Sequence, residues 1–424
     1  MKETQFELGA AYATKMDAAD PLKKYREQFY FPKQKDGRNV LYFVGNSLGL
    51  QPKKARAYVD EVLNDWETLA VEGHQVGKHP WYPYHEFLTD STARLVGAKP
   101  LEVVVMNTLT VNLHLMLISF YRPTKKKYKI VIEAGAFPSD QYAVASHAKL
   151  HGLDPKETIL EWRPRPNETL LNIRDLEELI QAEGDSIALV LLGDVNYRTG
   201  QAFPLKEIAT LAHTQQIIFG VDLAHGAGNL ELQLHDDKVD FAVWCSYKYL
   251  NAGPGALGGC FVHERHAEEF SRPRLEGWWG HDKVKRFLME PEFRPMAGAE
   301  GWQLSNPPIL PMATLRASME IFDEVGMANL RRKSELLTHY FEALLKQDEF
   351  KLVKILTPST PKERGCALSL EFGKTGKAVM KKLSEEGVVC DYREPGVLRF
   401  APVPLYNSFQ DVFELCEILK KHVK

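Results

Sequence analysis

Five short apolar runs constrain this chain more than any other feature: Val103 to Met106, YKIVIEA from Tyr128, SIALVLLGDV from Ser186, IIFGVD from Ile217 and VDFAVWCS from Val239. Their apolar residues sit at consecutive positions instead of alternating ones, the pattern of strands buried on both faces of a largely parallel sheet. Amphipathic segments such as Leu205 to His213 separate the runs and supply the crossover helices, so the fold class is α/β. Ahead of them, Ala55, Tyr58, Val59, Val62, Leu63, Trp66, Leu69 and Ala70 recur at a spacing that predicts a helix with one buried stripe over Pro52 to Ala70. A chain of 424 residues exceeds what one hydrophobic core covers, which predicts a large domain and a smaller one. Past Pro307, Pro308 and Pro311 the character changes to helical stretches, Met312 to Glu324 and Ala328 to Leu345, then to shorter α/β alternation ending in Ser408 to His422. The expected division is a large domain over 41–310 with a mostly parallel sheet between helices, and a small C-terminal α/β domain over 311–424. Residues 1–40 have weak periodicity and are assigned to the small domain, although pattern alone leaves open that they wrap a partner subunit.

Composition removes several function classes. A formal charge of −3 offers no basic excess for a nucleic-acid backbone, and the short Lys125, Lys126, Lys127 run reads as a solvated turn after Pro123. The N-terminal residues contain no apolar stretch of signal-peptide length, and nothing approaches the ~20 apolar residues of a membrane span. A cytoplasmic protein without a membrane partner is expected. The five cysteines, Cys245, Cys260, Cys366, Cys390 and Cys416, are odd in number and scattered, which suits a reduced compartment. They form no ligand-spaced pairs, so no metal is expected.

The chemistry concentrates between Asp222 and Gly259. Asp222 ends one buried run and Lys248 follows another, and open α/β sheets bind ligands at the carboxyl ends of their strands. A lysine there can condense with an aldehyde, and an aspartate can hold a pyridine nitrogen protonated so that the ring accepts electrons; together they suggest pyridoxal phosphate. The plainer alternative, two strand-end residues in surface salt bridges, is common in α/β proteins. Two further segments weigh against it. At Asn107 to Thr110 a strand gives way to a helix, where backbone N–H groups and the Thr110 hydroxyl can cradle a phosphate, or where a threonine simply caps the helix. At Gly135 to Asp140 a strand runs into a turn carrying an aromatic face and a carboxylate; the aromatic is either a cofactor cover or a core plug. Gly253 to Gly258 matches G-x-G-x-x-G but contains Pro254 and leads into the strand-like Gly259 to Val262, so it is not a dinucleotide site. It reads instead as a loop that lets backbone pass near Lys248. His225 reads as a cofactor-contacting or supporting histidine, and Tyr247 as a half-buried aromatic beside the lysine.

Taken in order along the chain, GNSLGL at Gly45 to Leu50, FPSD at Phe137 to Asp140, VDLAHGAGN at Val221 to Asn229, CSYKYLNAGPG at Cys245 to Gly255, GWWGH at Gly277 to His281 and SNPPIL at Ser305 to Leu310 resemble the kynureninase family over most of its length. That resemblance implies the aspartate-aminotransferase-like fold, and hydrolysis of kynurenine or 3-hydroxykynurenine to an anthranilate and alanine with pyridoxal phosphate. It implies that Lys248 holds the cofactor covalently, that Asp222 pairs with its ring nitrogen and that His225 lies beside it. Phe137 would cover the ring within the turn formed with Pro138, Ser139 and Asp140. Leu109, Thr110, Tyr247 and Trp278 would surround the phosphate, and Asn306 would line a pocket shared by cofactor and substrate. Arg399 is similar to the arginine that grips the substrate α-carboxylate, a task its planar fork suits. The Trp278 and Asn306 loops look like elements of a neighbouring subunit, so a homodimer with shared sites is expected. His74, Ser305 and Asn306 resemble the set associated with 3-hydroxykynurenine, which implies a preference for that substrate with both accepted. A cysteine desulfurase shares the Asp and Lys logic but needs a nucleophilic cysteine on a mobile loop, whereas these cysteines lie in apolar runs. A non-catalytic protein that kept the fold is the other alternative, disfavoured by an intact Asp222, Tyr247 and Lys248.

Overall fold

The computed structural model describes residues 7–423. The large sheet contains β1 (Val103–Met106), β2 (Lys129–Glu133), β3 (Ile159–Trp162), β4 (Ile187–Gly193), β5 (Ile218–Asp222), β6 (Phe241–Cys245) and β7 (Gly258–Val262). Their order is β1-β7-β6-β5-β4-β2-β3, with β2 to β6 parallel and β7 antiparallel to both of its neighbours. The consecutive apolar residues are explained by burial on two faces. Val103, Val105, Val131, Val190, Leu192, Ala242 and Trp244 join one core, while Val104, Met106, Ile130, Ile132, Leu189, Leu191, Phe241 and Val243 join the core on the opposite face.

The helices that matter for the site are α1 (Ala55–Leu69), α2 (Leu109–Phe120), α3 (Pro138–Leu150), α4 (Ile309–Val325) and α5 (Met327–Leu345). The proline-rich stretch at 307–311 opens α4, and the buried Met312, Leu315, Met319, Ile321 and Phe322 of α4 belong to the first core. From Leu337 of α5 onward, most buried side chains belong to a separate core, while Cys366, Ala401, Val403, Leu405 and Tyr406 return to the first. That core covers a four-stranded antiparallel sheet of β8 (Lys354–Ile355), β9 (Leu368–Glu371), β10 (Asp391–Arg393) and β11 (Val397–Phe400), in the order β10-β11-β9-β8.

Early residues contribute to both cores: Leu22, Tyr25 and Phe29 to the first, and Tyr12, Ala13, Leu41 and Phe43 to the second. Leu41–Tyr42 pairs in parallel with Val388–Val389. Asp17 accepts the N–H groups of Phe409 at 2.7 Å and Gln410 at 3.0 Å, placing a carboxylate at the positive start of the helix Phe409–Lys420. Among the described residues no helix is long and apolar enough to cross a membrane.

Candidate active site

Because β2, β4, β5 and β6 are parallel, their carboxyl ends open on one side of the sheet. Glu133, Gly193 and Asp222 end three of them, and Tyr247 and Lys248 follow the fourth; all five line a cavity of about 240 Å³. The chain beyond β1 reaches the same cavity through Asn107, which adopts a left-handed φ of 47°. Asn112 fixes this bend by donating from Nδ2 to the carbonyl oxygens of Met106 at 2.9 Å and Gly259 at 3.3 Å.

Two helices start at the cavity. Thr108 precedes α2 without a side-chain cap, so the first turn, whose Leu109 and Thr110 line the cavity, starts with N–H groups that no capping hydroxyl satisfies. Pro138 opens α3, and Ser139 in its first turn is hydrogen-bonded through Oγ to Thr110 Oγ1 at 2.8 Å. Two positive helix ends meeting at a hydroxyl pair could hold a phosphate. Residues 138–140 are thus the first turn of a helix, where the sequence pattern indicated only a turn. Phe137, 48% exposed, is no core plug: it lines the cavity and packs edge-on against Tyr197 with ring centroids 5.4 Å apart.

At the other end, Lys248 Nζ lies 3.3 Å from His225 Nε2, and burial and the nearby ammonium hold the His225 imidazole well below its ordinary range. Asp222 Oδ1 accepts the N–H of Ala224 at 2.7 Å. Burial raises the Asp222 carboxyl and Lys248 opposes that rise. Burial and the charges of Asp222 and Glu133 raise the Asp140 carboxyl well above the usual carboxylate range. Glu133 accepts the Gly193 N–H at 3.2 Å and is pushed up to about 7 by burial. Asp194, 1% exposed and without a hydrogen-bond partner for either carboxyl oxygen among the described residues, is also raised by burial; it fills the space where a Cβ on Gly226 would stand. Burial pushes the Tyr247 phenol up, so that it holds its proton at neutral pH.

This arrangement fits pyridoxal phosphate: a hydroxyl-lined anion site at two helix ends, an aromatic cover, a carboxylate and a lysine share one cavity. Arg399 enters from the small sheet. It is 2% exposed, not a surface arginine, and Asp391, its register partner on β10, grips it through Nε at 2.7 Å and through Nη2. Its Nη1 donates to the Tyr197 carbonyl at 2.6 Å.

Five expected residues do not line the cavity within one chain: Pro138, which opens α3 beside it, and four that lie away from it. His74 packs against Trp81 and Tyr82, with ring centroids at 5.1 and 4.9 Å. Trp278 packs against Trp279 and Phe287 and donates from Nε1 to the Arg286 carbonyl at 3.1 Å. Ser305 and Asn306 are exposed. Conversely, Asn46, Ser47, Glu133, Tyr197 and Arg393 line the cavity without having been singled out for a role. Glu133 was open to the strand-end argument that found Asp222. Away from the cavity, Glu102, His235 and His263 come near enough to hold an ion, but Glu102 already accepts from His235 Nδ1 at 2.9 Å and from the N–H groups of Lys99 at 2.8 Å and Glu264 at 2.7 Å.

No cysteine has the character of a nucleophile. Cys245, Cys260, Cys366 and Cys416 are buried, and burial pushes the thiols of Cys366 and of the half-buried Cys390 up to about 12.

A model of the kynureninase C-terminal domain matches residues 330–419. Kynureninase from Myxococcus xanthus is 58% identical to this chain over 419 residues, covering 99% of the chain and 98% of that protein. The kynureninase from Koribacter versatilis is 57% identical over 98% of both proteins. Among solved structures, the cysteine desulfurase CsdA from Escherichia coli superposes with a TM-score of 0.75 at 18% identity, over 94% of this chain and 98% of that one. A cystine lyase variant with glycine covalently linked to its pyridoxal phosphate superposes equally, with a TM-score of 0.75 at 17% identity, over 93% of this chain and 98% of that one. These distant structures share the fold.

Proposed function

This chain belongs to the kynureninase family of pyridoxal-phosphate-dependent hydrolases, and we propose how its own residues carry out that family's cleavage of the bond between Cβ and Cγ of L-kynurenine or 3-hydroxy-L-kynurenine. When bound, pyridoxal phosphate supplies the electron sink that acidifies the substrate carbons. Lys248 would be its covalent anchor, and its free amine would be the base that moves the proton at the substrate Cα. Asp222 keeps the pyridine nitrogen protonated, with Asp140 as its neighbour in the cavity and His225 beside the ring. Thr110, Ser139 and the N–H groups of the first turn of α2 near Leu109 hold the phosphate, and Phe137 covers the ring. Arg399 binds the substrate α-carboxylate.

Water adds at the γ-carbonyl, the Cβ–Cγ bond breaks, anthranilate leaves, and Tyr247 returns a proton to the β-carbon of the alanine fragment. A phenol that keeps its proton at neutral pH suits that last task. The observation that carries this reading is the meeting of Asp222, Lys248 and the Thr110–Ser139 hydroxyl pair around one cavity. Mixing purified protein, cofactor and kynurenine should produce anthranilate fluorescence; cofactor binding with no anthranilate would reject the assignment of these roles.

The working form in this reading is a cytoplasmic homodimer. Its support is the set of exposed apolar side chains on the Trp278 segment, Val284, Phe287, Leu288 and Met289, which a second copy would cover. Trp278 and Asn306 would then reach the partner's phosphate and substrate pockets. The five free thiols suit a reducing compartment. For substrate choice, His74, Ser305 and Asn306 would pair with the ring hydroxyl of 3-hydroxykynurenine, making it the better of two accepted substrates.

A further inference from the structure

Asn46 is the cavity residue whose needs the protein leaves unmet. It is 1% exposed and lines the cavity, yet neither Nδ2 nor Oδ1 has a hydrogen-bond partner among the described residues. A buried amide in that state destabilises the protein unless something entering the site meets it. Its position is firmly set. Ser47 and Leu48 both donate to the Val44 carbonyl, at 2.9 and 3.1 Å, and Val44 bridges Ala401, two residues beyond Arg399. Gly45 makes the close approach possible, because a Cβ there would stand 2.6 Å from Val403 Cγ2.

The wall contributed by β10 and β11 carries an unbalanced charge. Arg393 and Arg399 both line the cavity and share one carboxylate, Asp391, with Arg393 Nη2 3.3 Å from Asp391 Oδ2. Two guanidiniums against one carboxylate leave a net positive charge facing the ligand space, and burial together with Arg399 lowers the proton affinity of Arg393. Arg399 has also spent three of its N–H groups on Asp391 and Tyr197. Two remain, whereas a carboxylate offers about four acceptor sites. A substrate carboxylate held by Arg399 alone would be left short of donors in a buried site.

We propose that Asn46 and Arg393 are further arms of a carboxylate clamp built on Arg399: Asn46 Nδ2 donates to one oxygen of the substrate α-carboxylate, and Arg393 supplies the second cation. The inference rests on the role proposed above for Arg399.

The test compares binding of L-alanine, the amino-acid product, with ethylamine, the same molecule without its carboxylate. Both are titrated into full-length, cofactor-loaded enzyme and followed by cofactor absorbance and by calorimetry. Asn46→Asp turns a donor into a like charge and should weaken alanine by roughly tenfold or more while leaving ethylamine unchanged. Arg393→Gln should weaken alanine by about tenfold, again without affecting ethylamine. Asn46→Ala should act in the same direction as Asn46→Asp and serves if the buried charge prevents folding. In turnover, KM for kynurenine should rise more than kcat falls. Equal losses for alanine and ethylamine in the Asn46 and Arg393 variants would mean that these residues only shape the cavity, and would overturn the clamp. If Arg399→Gln loses the discrimination and the other variants keep it, the clamp alone is wrong; if Arg399→Gln keeps it too, the assignment of Arg399 fails with it.

Discussion

Glu133 gives the sharpest physical test of the site, because its environment sets a pH dependence whose sign and size both follow from the structure. The carboxyl is buried at the end of β2, ordinarily ionises near 4.5, and is pushed up to about 7 by burial and by Asp222, against the opposing hydrogen bond from Gly193. Below pH 4.5 both folded and unfolded chains carry the proton and Glu133 has no effect on stability. As pH rises, the unfolded chain ionises first, so folding must hold a proton the unfolded state has lost, and the cost grows until the folded carboxyl ionises near pH 7. The gap between 4.5 and about 7, at 1.36 kcal/mol per pH unit, comes to roughly 3 kcal/mol. Glu133→Gln removes that cost and keeps an oxygen for the Gly193 N–H. Its new amide donors add a penalty of about 1–3 kcal/mol if unsatisfied, but that penalty does not vary with pH. The measurement is denaturant unfolding of both proteins without cofactor, so that ligand binding does not enter. The variant should gain on wild type from pH 4.5 upward, by roughly 3 kcal/mol in total, and the gain should level off above pH 7. A difference that stays flat across this range would refute the reasoning, whatever its absolute value, since it would place Glu133 in contact with solvent or a cation.

Three further outcomes test the catalytic assignments. Lys248→Ala should abolish the borohydride-trappable link between protein and cofactor, and a reduced adduct mapped to any other lysine would move the anchor elsewhere. Asp222→Ala should bind cofactor more weakly and lose turnover even when saturated with it, because the ring nitrogen loses its stabilising charge; near-normal turnover at saturation would remove Asp222 from the mechanism. His74→Phe should lower kcat/KM selectively for 3-hydroxykynurenine, by about 1–3 kcal/mol for one buried hydroxyl left unpaired. Equal losses on both substrates would leave His74 as the packing partner of Trp81 and Tyr82 that it is within a single chain.

The strands of the large sheet were legible because burial on two faces forces consecutive apolar residues, and Val103–Met106 is completely buried. β3 escaped notice for the converse reason: it is an edge strand, three of its four residues are only partly buried, and it carries Glu161. The prolines at 307–311 do mark a break in pattern, but a sequence break cannot tell which core the next helix will join, and α4 sends Met312, Leu315 and Phe322 into the first.

The same distinction governs the site. Asp222 and Lys248 could be found because strand ends are visible in one dimension and their side chains carry recognisable chemistry. Glu133 was visible by that rule too, at the end of YKIVIEA, and only the structure reveals that it crowds Asp140 and Asp222. Asn46 and Arg393 were not accessible by any local rule. An asparagine in a turn ordinarily hydrogen-bonds its own backbone, and an arginine beside an aspartate two residues away ordinarily makes a surface pair. What singles out Asn46 is the lack of a partner among the described residues at 1% exposure, and what singles out Arg393 is that its aspartate is already committed to Arg399. Both are properties of the surroundings: the first is set by segments more than 300 residues apart in the chain, the second by the register of β10 against β11. A cavity that gathers two guanidiniums and an unsatisfied amide beside its lysine is complementary to an amino acid that enters with its carboxylate toward β11 and its amine toward Lys248.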